Sequence, residues 1–214
     1  MGLVLAKKIY GAYPDSFCSF TVVGRRGIGK SCYSLIVLHE VFMKLGFSSN
    51  EAWDKSLDSL KFSIKDVILY LSEAVDDDER RVSLVWDDVG IHASGSKYFL
   101  NMKLVDQLKG VMDSVRTATV SMILTAPSVA GLLSMLKNYD DFLIKINYSD
   151  RGGYYRCGHG YLWNTLPSGQ KRVYKKFIDN FNCYLPKKIY DRYVLMRKDA
   201  LRSVLGKLKD TIDE

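Results

Sequence analysis

Two rhythms of apolar and polar positions alternate along the chain, and the switches between them predict its elements. Residues 16–23 are mostly apolar or β-branched, the composition of a strand covered on both faces. Residues 31–46 place Leu35, Leu38, Phe42 and Leu45 on one helical face, with Gly46 as a C-cap. Residues 48–60 carry Trp53, Leu57 and Leu60 on one stripe and predict a second helix. A third spans 63–74, opened by Ser63 as N-cap with Asp66 three residues on. Residues 82–86 read as a short buried strand. Residues 99–115 read as a helix along Leu104, Leu108, Val111 and Val115. Strands at 119–124 and 141–148 flank a helix at 129–136. Residues 1–15 read as a lead-in packed across the sheet edge, and the charged run 76–81 as a solvated connection.

From Arg151 the pattern changes. Residues 154–163 and 171–177 alternate as strands around Pro167, Ser168 and Gly169, a turn signal, and predict an antiparallel hairpin. Pro186 opens a last amphipathic, basic helix to about Leu208. Strands alternating with helices predict an α/β fold with a mostly parallel sheet. The expected organisation is a core over residues 1–150, with residues 151–214 appended to the same domain as hairpin and terminal helix.

Between the first strand and the first helix stands Gly24-Arg25-Arg26-Gly27-Ile28-Gly29-Lys30-Ser31, a full match to G-x-x-x-x-G-K-[ST] in the required strand–loop–helix context. The chemistry follows from the residue types. Glycines let the backbone wrap an anion. The amides of residues 24–32, ending at Cys32, then point inward, and the helix adds its positive end. Lys30 supplies a point charge for the β and γ oxygens of a nucleotide, and Ser31 a hydroxyl for Mg²⁺. These residues predict a three-layer phosphate-loop NTPase. The plainer alternative is a glycine-rich turn with an incidental Lys-Ser.

The 82–86 strand ends in Asp87-Asp88. Asp87 suits the metal side and Asp88 the polarising of an attacking water; two adjacent carboxylates repel unless a cation offsets them. Aspartates also simply end strands at turns. Residues 89–98 are small and polar, placed as a sensing loop, with His92 a candidate phosphate or subunit contact. Thr125 and Ser128, ending the 119–124 strand, are candidates either to sense a γ-phosphate or to cap the helix that follows. Arg116 is either an arginine finger or a surface residue. His39 reads as packing or surface.

The chain has 214 residues, 47% of them apolar, a net charge of +7 and a pI of about 9.1. That content excludes disorder, and the charge suits an anionic partner. Arg151, Arg156, Lys171, Arg172, Lys175 and Lys176 are interleaved with Tyr154, Tyr155, Tyr161, Trp163 and Tyr174. The mixture fits phosphate contacts and base stacking on DNA, or equally a hairpin edge blunted by lysines. Four dispersed cysteines, Cys18, Cys32, Cys157 and Cys183, form no C-x-x-C pair, so a zinc cluster is not expected and a reducing cytoplasm is. No apolar stretch approaches the roughly 20 residues of a membrane span.

Together, the loop with its preceding Val22-Val23, the segment Leu84-Val85-Trp86-Asp87-Asp88-Val89-Gly90, and the segment from Arg116 through Thr125 to Ser128 resemble the small P-loop ATPases of archaeal plasmids and viruses. More broadly they resemble the RecA/FtsK/HerA-type branch, over residues 16–150. The resemblance implies ATP and Mg²⁺ as cofactors, Lys30 and Ser31 on phosphate and metal, Asp87 on metal and Asp88 as the water-polarising acid. It also implies a homo-oligomer that completes its site across an interface. Asp88 stands where Glu is usual, which implies slow hydrolysis, and Thr125 and Ser128 replace the Gln or Asn of DNA pumps. The absence of a guanine-reading Asn-Lys-x-Asp favours ATP. Three functions compete: an ATPase acting on DNA for a mobile element, a slow nucleotide-dependent assembly switch, and a small-molecule kinase with residues 151–156 as its lid.

Overall fold

In the computed structural model, residues 2–89, 102–128, 142–165 and 171–212 are described. The predicted helix at 129–136, the 90–98 loop with His92, and the turn at 167–169 lie outside them. The described strands are β1 (Cys18–Val23), β2 (Leu60–Lys61), β3 (Leu84–Trp86), β4 (Ser121–Ala126), β5 (Phe142–Tyr148), β6 (Tyr155–Thr165) and β7 (Lys171–Asn182). The helices are α1 (Val4–Ala12), α2 (Lys30–Lys44), α3 (Ser49–Asp58), α4 (Ile64–Asp76), α5 (Met102–Ala118) and α6 (Lys187–Ile212).

The fold is α/β. One seven-stranded sheet runs in the order β2-β3-β4-β1-β5-β6-β7. β2, β3, β4, β1 and β5 are parallel, and β6 and β7 continue the sheet antiparallel. Every residue of β4 is buried, as a central strand requires. Leu84, Trp86, Met122, Leu124 and Ala126 pack against Val67 and Leu71 of α4 and Met112 and Val115 of α5. The alternate positions Val85, Ile123 and Thr125 are buried too, and α1 and α2 pack on β1 and β4.

Local signals account for several boundaries. Ser48 and Glu51 form a capping box on α3, and Ser63 caps α4 by accepting from the Asp66 amide at 3.1 Å. His39 stacks on Trp53 with centroids 4.0 Å apart, a packing role.

Two expectations change. The lead-in is a helix: the amides of Val4 and Leu5 donate to the Asp179 carboxylate at 2.7 and 3.1 Å, and the Leu3 amide donates to Glu40 at 2.8 Å. Those acceptors satisfy amides that a helix start leaves open. The charged run is more than a solvated connection. Arg80 donates to the carbonyls of Pro14 and Ser16, and Arg81 bridges to Thr119 beside β4.

Residues Met1–Cys183 form one compact unit, which includes the hairpin; Tyr184–Glu214 form a second. In the second, Pro186 O accepts from the amides of Ile189 and Tyr190 at 2.9 Å, and α6 exposes Tyr190, Leu195, Leu201 and Leu205. Among the described residues no helix is long and apolar enough to cross a membrane.

Candidate active site

Strand register builds this site. Val22 of β1 and Thr125 of β4 are paired, and Trp86 of β3 pairs Leu124, so Asp87 arrives beside Thr125. The carboxyl ends of three parallel strands thus lie on one edge, where α/β sheets place ligands. β4 lies between the strand that leads into the glycine loop and the strand that ends in the acids, so the resemblance's neighbour relation for β3 and β4 holds.

The loop leaves β1 at Gly24 and enters α2 at Lys30. Gly27 and Gly29 have φ of 75° and 105°, left-handed values that favour glycine. Arg25 and Arg26 are exposed, and Ile28 is buried. Lys30 is 6% exposed, and its ammonium donates to the carbonyls of Gly24 and Arg25 at 3.2 and 3.3 Å. The Ser31 hydroxyl lies 2.8 Å from each oxygen of Asp87 and donates its proton between them. Asp87 is fully buried.

Thr125 is fully buried. Its hydroxyl donates to Asp87 Oδ1 and accepts from the Asp88 amide at 2.9 Å. One side chain therefore fixes both acids: the first through its carboxylate, the second through its backbone. Asp88 is half-buried with φ of 50°, a left-handed conformation that costs energy in a non-glycine residue. Ser128 is exposed beyond β4. Arg116 is exposed near the end of α5, where β4 begins. About 20 Å of strand separates that end from Thr125, at about 3.3 Å per residue. Arg116 is not brought to its own chain's loop.

The six basic residues of 151–176 do not form one patch. Arg156 pairs Tyr148 at the loop edge of the sheet. Its Nε donates to Ile28 O at 3.2 Å, its Nη1 to the carbonyls of Gly153 and Tyr155, and its guanidinium lies 4.5 Å from the Tyr148 ring. It braces the glycine loop. Arg151 is exposed, 5.7 Å from the Tyr155 ring. Lys171, Arg172 and Lys175 pair Thr165, Asn164 and Tyr161 toward the other end of the hairpin. Arg172 is about 26 Å of strand from Arg156. Residues 172–176 are exposed on both faces of β7, and burial resumes at Phe177.

Two site-side residues escaped the sequence reading. Asp179 is 2% exposed and accepts from Tyr33 of α2 at 2.7 Å as well as from α1. A signal existed: Phe177, Asp179 and Phe181 share one face of a strand, so an acid there points inward. Burial, the Asp179 charge and the hydrogen bond to it push the Tyr33 phenol well above its usual range. The second is Cys183, whose thiol is hydrogen-bonded to that of Cys32, the last of the loop residues 24–32. That bond, then burial, pushes Cys32 up. The bond and the nearby Arg156 guanidinium bring Cys183 down, against burial. No local pattern joins positions so far apart in sequence. Among the described residues, no group of three or more His, Cys, Asp or Glu side chains could hold a metal ion.

No family model matches the chain. It is 26% identical over 218 aligned positions, covering 99% of this chain and 86% of the relative, to the uncharacterized protein B-251 of Sulfolobus spindle-shape virus 1. Among solved structures it is similar to the KaiC-like protein PH0186 of Pyrococcus horikoshii OT3, with 12% identity and a TM-score of 0.38, over 73% of this chain and 89% of that one.

Proposed function

We propose that the chain binds ATP with Mg²⁺ at residues 24–32, hydrolyses it, and acts on DNA for a mobile element, in replication, partition, transfer or packaging. The observation that carries the nucleotide reading is the Ser31–Asp87 contact at 2.8 Å, from the first turn of α2 to the end of β3, with Lys30 folded over the loop. A hydroxyl and a carboxylate are the hard oxygen donors that Mg²⁺ takes, and the left-handed glycines shape a cradle for phosphate. Ser31 and Asp87 are the residues that would hold the ion, whose role when bound is to neutralise charge on the transferred phosphoryl group. Lys30 exchanges its carbonyl partners for phosphate oxygens. Asp88 orients the attacking water, and Thr125 holds both acids in place.

The DNA reading is supported by Arg172, Lys175 and Lys176, exposed beside Tyr174 on the outer half of the hairpin, with Lys171 at its end. The similarity to a viral protein along nearly the whole chain supports a mobile-element setting. Since Arg116 lies far from its own loop, a finger role would have to be played toward a second copy, which fits a homo-oligomer.

ATP turnover is the test, measured with and without Mg²⁺ and with single-stranded, duplex and no DNA. Turnover that needs Mg²⁺, rises with DNA and vanishes in Lys30→Ala is expected. A Lys30→Ala protein that binds ATP as the parent does would overturn the reading. One observation favours the slow switch over the motor: the Thr125 hydroxyl is hydrogen-bonded to both acids. Single-turnover rates unchanged by any DNA would select that alternative.

A further inference from the structure

Cys183 follows β7 directly, and its amide donates to Tyr154 O at 2.8 Å, which seats it at the loop edge of the sheet. Its sulfur occupies the space a side chain at Gly29 would need: a Cβ there would lie 2.4 Å from Cys183 Sγ. Cys32, in the first turn of α2, brings its own Cβ to 4.0 Å from that same point. Two thiols from distant parts of the chain thus meet against the backbone of the glycine loop. Both are partly buried and neither is in a disulfide. The other two cysteines are placed differently. Cys18 Sγ lies against Val120 O at 4.0 Å, and Cys157 Sγ against Tyr148 O at 3.5 Å. Nothing in phosphate binding calls for either thiol of the pair, since the loop works through amides, Lys30 and Ser31.

The geometry points to Cys32 and Cys183 as an oxidisable dithiol, a modification site whose oxidant is a low-molecular-weight disulfide and whose product clamps the first turn of α2 to the end of β7. Arg156 pairs Phe181, two residues before Cys183, and is held on Ile28 O, so its positive guanidinium sits on the Cys183 side of the pair and favours Cys183 as the attacking sulfur. The Cys183 thiolate attacks one sulfur of the oxidant, forms a mixed disulfide and expels one thiolate. The Cys32 sulfur then attacks Cys183 Sγ, expels the second thiolate and closes the crosslink. The two cysteine protons end on the two released thiols, and two electrons pass from the protein to the oxidant.

Only the consequence rests on the nucleotide reading. Gly29 and Cys32 flank Lys30 and Ser31, and Lys30 must leave the carbonyls of Gly24 and Arg25 to meet a phosphate. The crosslink restrains that turn and weakens ATP binding, by about fivefold or more at the scale of ordinary site-to-site coupling. By linkage, bound ATP shifts the dithiol–disulfide equilibrium toward the dithiol by the same factor.

The full chain is incubated with oxidised glutathione, mapped by non-reducing peptide mass analysis, and titrated with ATP in both redox states. A Cys32–Cys183 peptide formed ahead of any modification of Cys18 or Cys157 is expected, with Cys32→Ser trapping glutathione on Cys183. A stable glutathione adduct on Cys183 in the parent chain, a link to another cysteine, or no link at all overturns the proposal. The parent map decides even if a serine variant fails to fold. A crosslink without ATP binding in either state would sink the nucleotide reading and keep the dithiol. ATP binding without a crosslink would do the reverse.

Discussion

Thr125→Val replaces a hydroxyl by a methyl of nearly the same shape at a fully buried position. It removes a donor from the Asp87 carboxylate and the acceptor of the Asp88 amide. A hydrogen bond to a charged group contributes about 1.5–3 kcal/mol, and a buried amide left without its partner costs about 1–3 kcal/mol. The two losses share one site, so they overlap, and about 2–4 kcal/mol is the expected fall in unfolding free energy. The Asp88 backbone, whose left-handed φ of 50° that bond helps to hold, can then relax, which offsets part of the loss and displaces the second acid. Thr125→Ser is the control: it keeps both bonds and loses only a methyl, about 1 kcal/mol. Urea unfolding followed by tryptophan fluorescence reads the difference as a shift in midpoint at constant slope. ATP turnover should survive in the serine variant and collapse in the valine variant. Equal midpoints for the two would refute the claim that this hydroxyl organises the acids.

Asp88→Asn tests the second acid alone. Asparagine accepts left-handed backbone as readily as aspartate, so the variant should unfold with the parent and bind ATP while turnover falls by about 10²-fold or more, the scale of a lost general base. Parent-like turnover would remove Asp88 from the chemistry. The basic residues should separate into two classes. Arg156→Ala should weaken ATP binding and leave DNA affinity unchanged. The triple variant Arg172→Ala, Lys175→Ala, Lys176→Ala should spare ATP and lower the salt dependence of DNA binding by about 3 in log–log slope; one common phenotype would contradict the placement. Tyr33 predicts an alkaline limb. Its folded pKa lies above the unfolded value of about 10, so its contribution is complete below pH 10 and is lost as pH rises from there toward the folded value. Tyr33→Phe should be less stable at neutral pH by about 1–3 kcal/mol and show a shallower decline above pH 10, measured by denaturant titration across pH.

Local signals in the chain carried much of this architecture. The strand–loop–helix around Gly24–Ser31, the cap at Ser63 and the alternation of β6 and β7 each depend on residues within a turn or a few strand positions. Patterns of that range are written in consecutive letters. The end of the 82–86 strand was equally legible, because two acids after an apolar run can only be placed at a strand terminus. What stayed hidden depends on register across the sheet. That Thr125 would meet Asp87 follows from β4 lying between β1 and β3 with Trp86 opposite Leu124, and nothing in residues 119–128 states it. The six basic residues of the hairpin looked like one surface because they are close in sequence. A strand advances about 3.3 Å per residue, and that extension carries Arg156 and Arg172 to opposite ends.

The hairpin is therefore a lever with two ends of different character. Near the loop it is tied in three places: Arg156 to the Ile28 carbonyl, Cys183 against Gly29, and Asp179 to Tyr33 in the first turn of α2. Gly158 lets it lie close, since a Cβ there would press on Ile144 and Ile146 of β5, and Gly160 leaves room within the hairpin for the Phe177 ring, which a Cβ would meet at 2.2 Å. Toward the turn both faces of β7 are open and basic. A strand pair is stiff along its length because its ladder bonds are shared by every residue. A partner seated on Arg172 and Lys175 would pull on the same two strands that brace residues 24–32. Coupling between an outer ligand and the glycine loop needs no further element than β6 and β7. In this arrangement Asp179→Asn, which weakens the ties to Tyr33 and to the start of α1 and leaves Arg172 and Lys175 in place, should reduce the response of ATP turnover to DNA more than it reduces either binding constant.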